Sequence, residues 1–237
     1  MENRTASVGT AWVGSVARLG GGLRTAASLG PRPAAPLELY EFEGCPFCRK
    51  VRETLSFLDL EVAVYPCPKG GARFRPVATA LGGKAQFPLL VDPNTKTTLY
   101  ESDAINTYLA NTYGTGKRPL MVSLGPVTMA SSVLATVLRK GKGTTTRPSR
   151  PPEKRLELWS FEASPYCRLV RERLTELELP YLLHNVGKKS PSRKAFVARS
   201  GKMQVPWLLD PNTGKELFES EAIVDYLDQT YAVASTA

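Results

Sequence analysis

The chain contains few of the residues that hold metals or build disulfide frameworks. It has a single histidine, His184, and 4 cysteines among 237 residues. A structural zinc site needs four Cys or His ligands at short spacings, and small secreted domains are far richer in cysteine. We therefore expect no metal and no disulfide framework, and we expect a reducing compartment in which thiols are used for chemistry.

Acidic residues are scarce in two stretches, residues 1–36 and 116–155. The stretches that look folded, residues 37–115 and 156–237, have nearly balanced charge. The net charge of +9 therefore belongs to a leader and a linker, not to a folded surface. This argues against nucleic acid as the partner and predicts basic segments that could contact a membrane surface or an acidic partner.

The leader, residues 1–36, combines arginine with many small and hydroxylated residues, a composition typical of an organelle transit segment. Its apolar residues also follow a helical period, which leaves an ordered helix packed on the next domain as the alternative. The stripe consists of Val8, Trp12, Val16, Leu19 and Leu23.

One run, Pro119–Leu138, has no charged residue and is long enough to raise the question of a membrane span. Its glycine, proline and many hydroxyl groups weaken that interpretation, and its apolar residues favour one helical face. A docked amphipathic helix is the favoured interpretation. A basic linker rich in proline and glycine follows, from Arg139 to Pro152.

A CxxC motif, Cys45-Pro46-Phe47-Cys48, lies between a short strand pattern and an amphipathic helix pattern. The strand pattern is Leu37–Phe42, and the helix presents Val51, Leu55 and Leu58 on one face. Free N–H groups and the positive end of the dipole stabilise a thiolate at a helix N-terminus. The placement predicts that Cys45 is a nucleophile with a lowered pKa.

The same pattern occurs twice. Leu156–Phe161 repeats Leu37–Phe42 after 119 residues, and Ser164-Pro-Tyr-Cys167 repeats the CxxC with serine in the place of the first cysteine. The duplication predicts two domains, a first block at residues 37–115 and a second block at 156–237. A leader (1–36) precedes the first block and a helix with the basic linker (116–155) precedes the second. These preceding segments resemble each other and could belong to the repeat.

Three motifs in the same order in both blocks resemble one family: the CxxC, an X-Pro before a strand, and a Glu-Ser opening the last helix. The family is the glutaredoxin-like N-terminal domain of glutathione S-transferases, a thioredoxin fold. The tandem arrangement resembles plant and algal plastid proteins with two such domains. The resemblance implies an α/β protein of two thioredoxin-like domains, each a mixed four-stranded sheet flanked by helices and preceded by an amphipathic helix. It also implies a plastid location, with the mitochondrion as the alternative.

The resemblance implies roles for matching residues. Cys45 matches the nucleophile and Cys48 the resolving cysteine. Pro88 matches a cis-proline that lets the backbone of Phe87 pair with glutathione, and Glu101 and Ser102 match the pair that holds the γ-glutamyl end. An ordinary N-cap is the other interpretation of this serine. The equivalents in the second block are Ser164, Cys167, Val205, Pro206, Glu219 and Ser220.

The resemblance implies a glutathione-dependent thiol–disulfide oxidoreductase acting on protein or small-molecule disulfides, with an active first domain. The alternative is a non-catalytic glutathione-binding or adaptor protein. Ser164 cannot exchange disulfides; it either stabilises a bound glutathione thiolate or marks a decayed repeat. A conventional conjugating transferase is not expected, because each block is followed only by a linker or the chain end. An iron–sulfur carrier is disfavoured by Pro46.

Two further residues have open interpretations. Cys67 lies between two prolines, and it is either a second redox partner or an incidental cysteine in a rigid turn. His184 has no nucleophile beside it in the sequence, which favours a structural role.

Overall fold

The computed structural model describes residues 21–119, 122 and 141–233. Both blocks contain the same elements in the same order. In the first block these are β1 (Leu37–Glu41), α1 (Pro46–Phe57), β2 (Val62–Pro66), α2 (Arg75–Gly82), β3 (Leu89–Asp92), β4 (Thr97–Leu99) and α3 (Ser102–Tyr113). In the second block they are β5 (Leu156–Ser160), α4 (Pro165–Glu176), β6 (Tyr181–Asn185), α5 (Ser192–Ser200), β7 (Trp207–Asp210), β8 (Lys215–Phe218) and α6 (Ser220–Tyr231).

The eight strands form one continuous sheet in the order β4-β3-β1-β2-β6-β5-β7-β8. Within the first block β1 is parallel to β2 and antiparallel to β3, the mixed four-stranded sheet that the sequence predicts. The second block repeats this pattern. The strand β2 then pairs with β6 in antiparallel fashion, which joins the two sheets edge to edge.

The junction between the sheets has the symmetry of the repeat. Ala63 pairs with Leu182, the residue 119 positions later and its own equivalent in the second block. Val62 and Val64 pair with the equivalents of each other, Leu183 and Tyr181. A pseudo-twofold axis therefore passes through the β2–β6 pair, as in an isologous dimer interface within one chain.

The main core lies between the sheet and the helices α1, α3, α4 and α6. Alternate residues of β1, Leu37 and Leu39, point into it, and Val51, Leu55 and Leu58 of α1 are at most 1% exposed. The predicted helical face therefore lies in the core, and the polar residues on the other faces of α1, from Arg49 to Ser56, are buried as well. Burying each such side chain contributes roughly 1.5–3 kcal/mol. Residues of both blocks belong to this single cluster, so each block helps to complete the core of the other.

The segments that precede the blocks are also repeated in structure. We call residues 21–36 the first strap and 141–155 the second strap. The first strap exchanges backbone hydrogen bonds with Lys188 in the second block, and the second strap does the same with Lys69, its equivalent in the first block. Each strap then continues to its own block. The two segments thus cross over the pseudo-twofold axis.

Several expectations fall outside the described residues. These are the amphipathic helices preceding each block, most of the transit-like leader and most of the uncharged run from Pro119. Among the residues that are described, no helix has both the length and the apolar character needed to cross a membrane.

Candidate functional site

The CxxC motif forms the start of α1, as the sequence predicts. Cys45 is the N-cap residue with extended backbone angles, and Pro46 opens the helix. The missing N–H of Pro46 costs nothing there, because N–H groups of the first turn have no helical partner. The sulfur of Cys45 accepts a hydrogen bond from the backbone N–H of Cys48 at 3.3 Å. Cys45 is 4% exposed and Cys48 is fully buried.

The two cysteines differ in acidity. The hydrogen bond from the Cys48 side chain lowers the pKa of Cys45 despite burial, and the backbone N–H groups of Cys48 and Phe47 lower that pKa further. Burial raises the pKa of Cys48, and the hydrogen bond to Cys45 raises it further. The shifts run in opposite directions, so Cys45 is the more acidic thiol of the pair and Cys48 the less acidic one. The more acidic thiol of such a pair is the candidate nucleophile.

The second block reproduces this turn with oxygen in the place of sulfur. Ser164 is the N-cap of α4, and its hydroxyl oxygen accepts the N–H of Cys167 at 3.3 Å. Ser164 and Cys167 are both buried. The substitution therefore keeps the geometry of the turn and removes the group that could exchange disulfides.

The peptide bonds Phe87–Pro88 and Val205–Pro206 are both cis, as the resemblance implied. The ring of Phe87 packs edge-on against Phe42, with 6.3 Å between the ring centres. Phe42 directly follows β1 and lies three residues before Cys45. The guanidinium of Arg75 lies 4.8 Å from the Phe87 ring centre. These contacts place the X-Pro segment beside the CxxC turn.

The Glu-Ser pair lies at the start of α3. Glu101 is the N-cap with a φ of 65° and makes no side-chain capping bond, while Ser102 is the first helical residue. The serine is therefore not the N-cap, which removes the ordinary interpretation of its presence. Lys50 of α1 lies 2.6 Å from Asp103 and ties the CxxC helix to this helix start. The three motifs thus converge on one side of the first block.

Sequence reasoning missed a member of this group. The amide of Gln86 contacts the Glu101 carboxylate, and Gln204 contacts Glu219 in the same way. Both glutamines come two residues before the cis-proline. Their repetition at this place was the available signal.

A buried cluster of charges joins the blocks beneath the CxxC turn, and it too was missed. Arg52 on α1 lies 3.0 Å from Glu162 of the second block, and Arg171 on α4 lies 2.9 Å from Glu43 of the first. The pseudo-twofold axis relates these two contacts, because Arg171 is the equivalent of Arg52 and Glu162 is the equivalent of Glu43. All four are at most 5% exposed.

The cluster contains one asymmetric member. Glu41 contacts Arg52, whereas its equivalent, Ser160, accepts a hydrogen bond from Arg171 at 3.1 Å. Burial raises the pKa of Glu41 to about 7; Arg52 opposes the shift, and Glu43 and Glu162 add to it. Burial would also raise the pKa of Glu43, but Arg171 and Arg52 outweigh it and lower that pKa to about 2. The first block therefore has a buried carboxyl group that titrates near neutral pH.

Cys67 and His184 make their contacts with residues outside the CxxC motif. Cys67 is fully buried against Tyr40, Ala78 and Leu89, and burial raises its pKa strongly. All four cysteines are free thiols.

His184 lies between two carboxylates. It is 2.6 Å from Glu61 of the first block and 3.2 Å from Glu157 of its own, and it stacks on Trp159 with ring centres 4.1 Å apart. These contacts join the blocks and agree with a structural role for the histidine.

A cleft of about 420 Å³ lies far from this chemistry. It is lined by the first strap, Asp59–Glu61 and Ser192, at the C-terminal end of α1. The CxxC motif is at the other end of that helix, about 18 Å away at 1.5 Å per residue. We therefore do not place the site there. Within the described ranges no group of His, Cys, Asp or Glu side chains has the geometry to hold a metal ion.

The comparison with protein families identifies the chain. Residues 39–119 and 158–235 each match the family described as glutathione S-transferase, N-terminal domain. The chain belongs to this family and contains two copies of its domain. The two matches cover the CxxC, X-Pro and Glu-Ser motifs of the first block and their equivalents in the second. A comparison with curated proteins finds no match.

Solved structures of glutathione transferases resemble parts of the chain. Bombyx mori glutathione transferase BmGSTD1 is 30% identical over 35% of this chain and 38% of its own, with a TM-score of 0.32. Its complex with GTT matches at the same identity. Leishmania TDR1, a trimeric glutathione transferase, is 14% identical over 86% of this chain and 68% of its own, with a TM-score of 0.31. The chain thus spans well under half of the Bombyx mori enzyme.

Proposed function

We propose that the first block is a glutathione-dependent thiol–disulfide oxidoreductase of glutaredoxin type. The observation that supports this most directly is the Cys45 sulfur, which accepts an N–H at the start of α1 and has a lowered pKa. A thiolate at neutral pH is the species that attacks disulfides. The second block, with Ser164 in this place, has no such nucleophile and would act as a degenerate copy.

The reaction has two exchanges. The Cys45 thiolate attacks the glutathione sulfur of a mixed disulfide, forms a new disulfide with glutathione and releases the substrate as a thiolate. A second glutathione thiolate then attacks the glutathione sulfur of this disulfide, releases Cys45 as a thiolate and leaves as oxidised glutathione. Alternatively the Cys48 thiol loses its proton, attacks Cys45 and releases glutathione, which leaves an internal disulfide.

Glutathione would bind along one edge of the first block. The backbone of Phe87, held by cis-Pro88, would pair with the cysteinyl part. Ser102 and the N-terminus of α3 would receive the γ-glutamyl carboxylate, and Glu101 its ammonium group. Gln86 holds the Glu101 carboxylate in place through its side-chain amide.

The test is glutathione-dependent reduction of a small mixed disulfide, coupled to removal of oxidised glutathione. Cys45→Ser should abolish the activity, and Cys48→Ser should retain the glutathione route. Cys67→Ala is the matched control, since it also removes a buried thiol of the first block but not one at the α1 N-terminus. Equal rates for wild type and Cys45→Ser would contradict the proposal.

The second candidate is a non-catalytic glutathione-binding or adaptor protein. Two observations favour it: Cys45 is only 4% exposed, and the second block has lost its nucleophile. Calorimetric titration with reduced glutathione separates the two. Binding that persists in Cys45→Ser, together with no turnover in wild type, would favour the adaptor.

Location and the role of the basic segments are also proposals. We propose that the acid-poor leader directs the chain to the plastid and that the basic linker contacts an anionic membrane surface or an acidic partner. Import assays with isolated plastids and mitochondria, using the chain with and without residues 1–36, test the first point. Uptake by mitochondria alone would contradict it.

A further inference from the structure

The turn that carries Cys45 is held by the second block. Arg171 makes a two-pronged contact with the Glu43 carboxylate, with its Nε 2.9 Å from Oε2 and its Nη2 3.2 Å from Oε1. Glu43 is two residues before Cys45. Arg171 and Glu43 are at most 3% exposed, so water does not screen the contact.

The second strap holds the next residue of the same turn. The N–H of Gly44 donates to the carbonyl of Gly143 at 3.0 Å. Gly143 has a φ of 70°, and a Cβ added to it would meet the Cβ of Glu43 at 2.9 Å. The strap can pass this close only because Gly143 is a glycine. Both residues that lead into Cys45 are thus contacted from outside the first block. Within the first block, Arg52 also donates to the Glu43 carbonyl at 3.2 Å and lies 3.2 Å from the Glu43 carboxylate.

We propose that Arg171 is a positioning residue for the Cys45 thiol, acting through Glu43 and the turn that follows it. The inference rests on the proposed function and assigns the degenerate block a part in it. The Cys45 sulfur depends on alignment with the N–H of Cys48. A turn that shifts by a few tenths of an ångström weakens that hydrogen bond and with it the stabilisation of the thiolate.

The pseudo-twofold axis supplies a matched comparison. Arg52 contacts Glu162 as Arg171 contacts Glu43, and each arginine also contacts the glutamate of its own block. The turn after Glu162 leads to Ser164, however, which is not a nucleophile. Glu43→Gln and Glu162→Gln each remove one carboxylate from the same buried cluster. Only the first of these carboxylates lies in the turn of Cys45, so only its removal should change the thiol strongly.

The experiment measures the pH dependence of Cys45 alkylation in the full-length chain, with the modified peptide identified by mass spectrometry. In Arg171→Met and in Glu43→Gln the pH midpoint should rise by about 0.5 to 1, which reduces the thiolate fraction by about three- to tenfold at pH values well below the wild-type midpoint. Arg171→Lys keeps the positive charge but cannot make the two-pronged contact with Glu43, so its pH midpoint should lie between those of wild type and Arg171→Met. Glu162→Gln should stay closer to wild type than Glu43→Gln. A wild-type midpoint in folded Arg171→Met would overturn the proposal.

A second pair of variants covers the case in which Arg171→Met does not fold. A Cβ at Gly44 would meet the Thr144 hydroxyl at 2.2 Å, and among the described residues this hydroxyl has no hydrogen-bond partner. Gly44→Ala should therefore displace the strap and raise the midpoint, and Gly44→Ala combined with Thr144→Ala should restore it. The equivalent of Gly44 is already an alanine, Ala163, so Ala163→Gly is the control. A midpoint that Gly44→Ala leaves unchanged would show that the acidity of Cys45 does not depend on the position of this turn, and this would overturn a positioning role that Arg171 exerts through it.

The alkylation measurement does not depend on turnover. An inactive wild type with the expected midpoint shifts would contradict the oxidoreductase function and leave the positioning role of Arg171 intact. An active wild type with no midpoint shift in these variants would support the oxidoreductase function and contradict the positioning role of Arg171.

Discussion

Arg171 of the second block and Glu43 of the first form a buried ion pair at 2.9 Å, two residues from the candidate nucleophile Cys45. The pair is one half of a symmetric exchange whose other half is Arg52 with Glu162. Together with the β2–β6 strand pair, it makes the two copies of the repeat one structural unit.

The two blocks should unfold in a single cooperative transition, because they share a core cluster and a buried ion-pair network. In a Trp12→Phe background, the remaining tryptophans, Trp159 and Trp207, report on the second block. Pulsed alkylation of Cys48 and Cys67 reports on the first. The urea midpoints of the two signals should coincide. Alkylation of the first block at lower urea than the tryptophan change would show that the blocks unfold separately.

The stability of the protein should fall as the pH rises from 4.5 to about 7, through Glu41. Its pKa is raised from 4.5 to about 7 by burial, so the unfolded chain releases this proton at a lower pH than the folded protein. The folded state therefore loses up to about 3 kcal/mol from this group across that interval.

Comparing urea unfolding at pH 5 and pH 8 tests the role of Glu41. Glu41→Gln should lose less stability between the two pH values than wild type does, whatever its absolute stability. The exposed Glu216→Gln is the control for removing one carboxylate. An identical pH slope in Glu41→Gln and wild type would refute this prediction.

Ser164→Cys should recreate a redox-active pair in the second block. The Ser164 oxygen accepts the Cys167 N–H at 3.3 Å, the same geometry as at Cys45, so a sulfur there would lie at a helix N-terminus beside a buried thiol. In a Cys45→Ser background, oxidation should link the new thiol to Cys167, detected by mass spectrometry of the peptide. Restored turnover would indicate that this block also binds glutathione. If no such disulfide forms, the geometry of the turn alone is not sufficient for a redox-active pair.

Much of the fold could be predicted from the sequence because the repeat supplies every element twice. The helical period of Val51, Leu55 and Leu58 identified the face of α1 that lies in the apolar core, and the position of Cys45 after a strand identified the helix start. The edge pairing of β2 with β6 could not be predicted. The pattern of Glu61–Tyr65 shows a buried strand, but it does not show which other strand lies beside it.

The site was predicted in part for a related reason. Short motifs identified Cys45, Pro88 and Ser102, since their chemistry depends on neighbours in the sequence. The contacts of Arg171 with Glu43, and of Gly143 with Gly44, join residues about 100 or more positions apart. Charged residues on an amphipathic helix are expected to be solvated. Only the folded structure shows that these arginines are buried and shared between the blocks.

The most direct test of the account is the pH dependence of Cys45 alkylation, set beside the turnover of wild type and Cys45→Ser. We expect a midpoint well below that of a free cysteine, which is about 8.5, and glutathione-dependent reduction of a mixed disulfide that Cys45→Ser abolishes. A midpoint at or above that of free cysteine, with equal turnover in the two proteins, would contradict it.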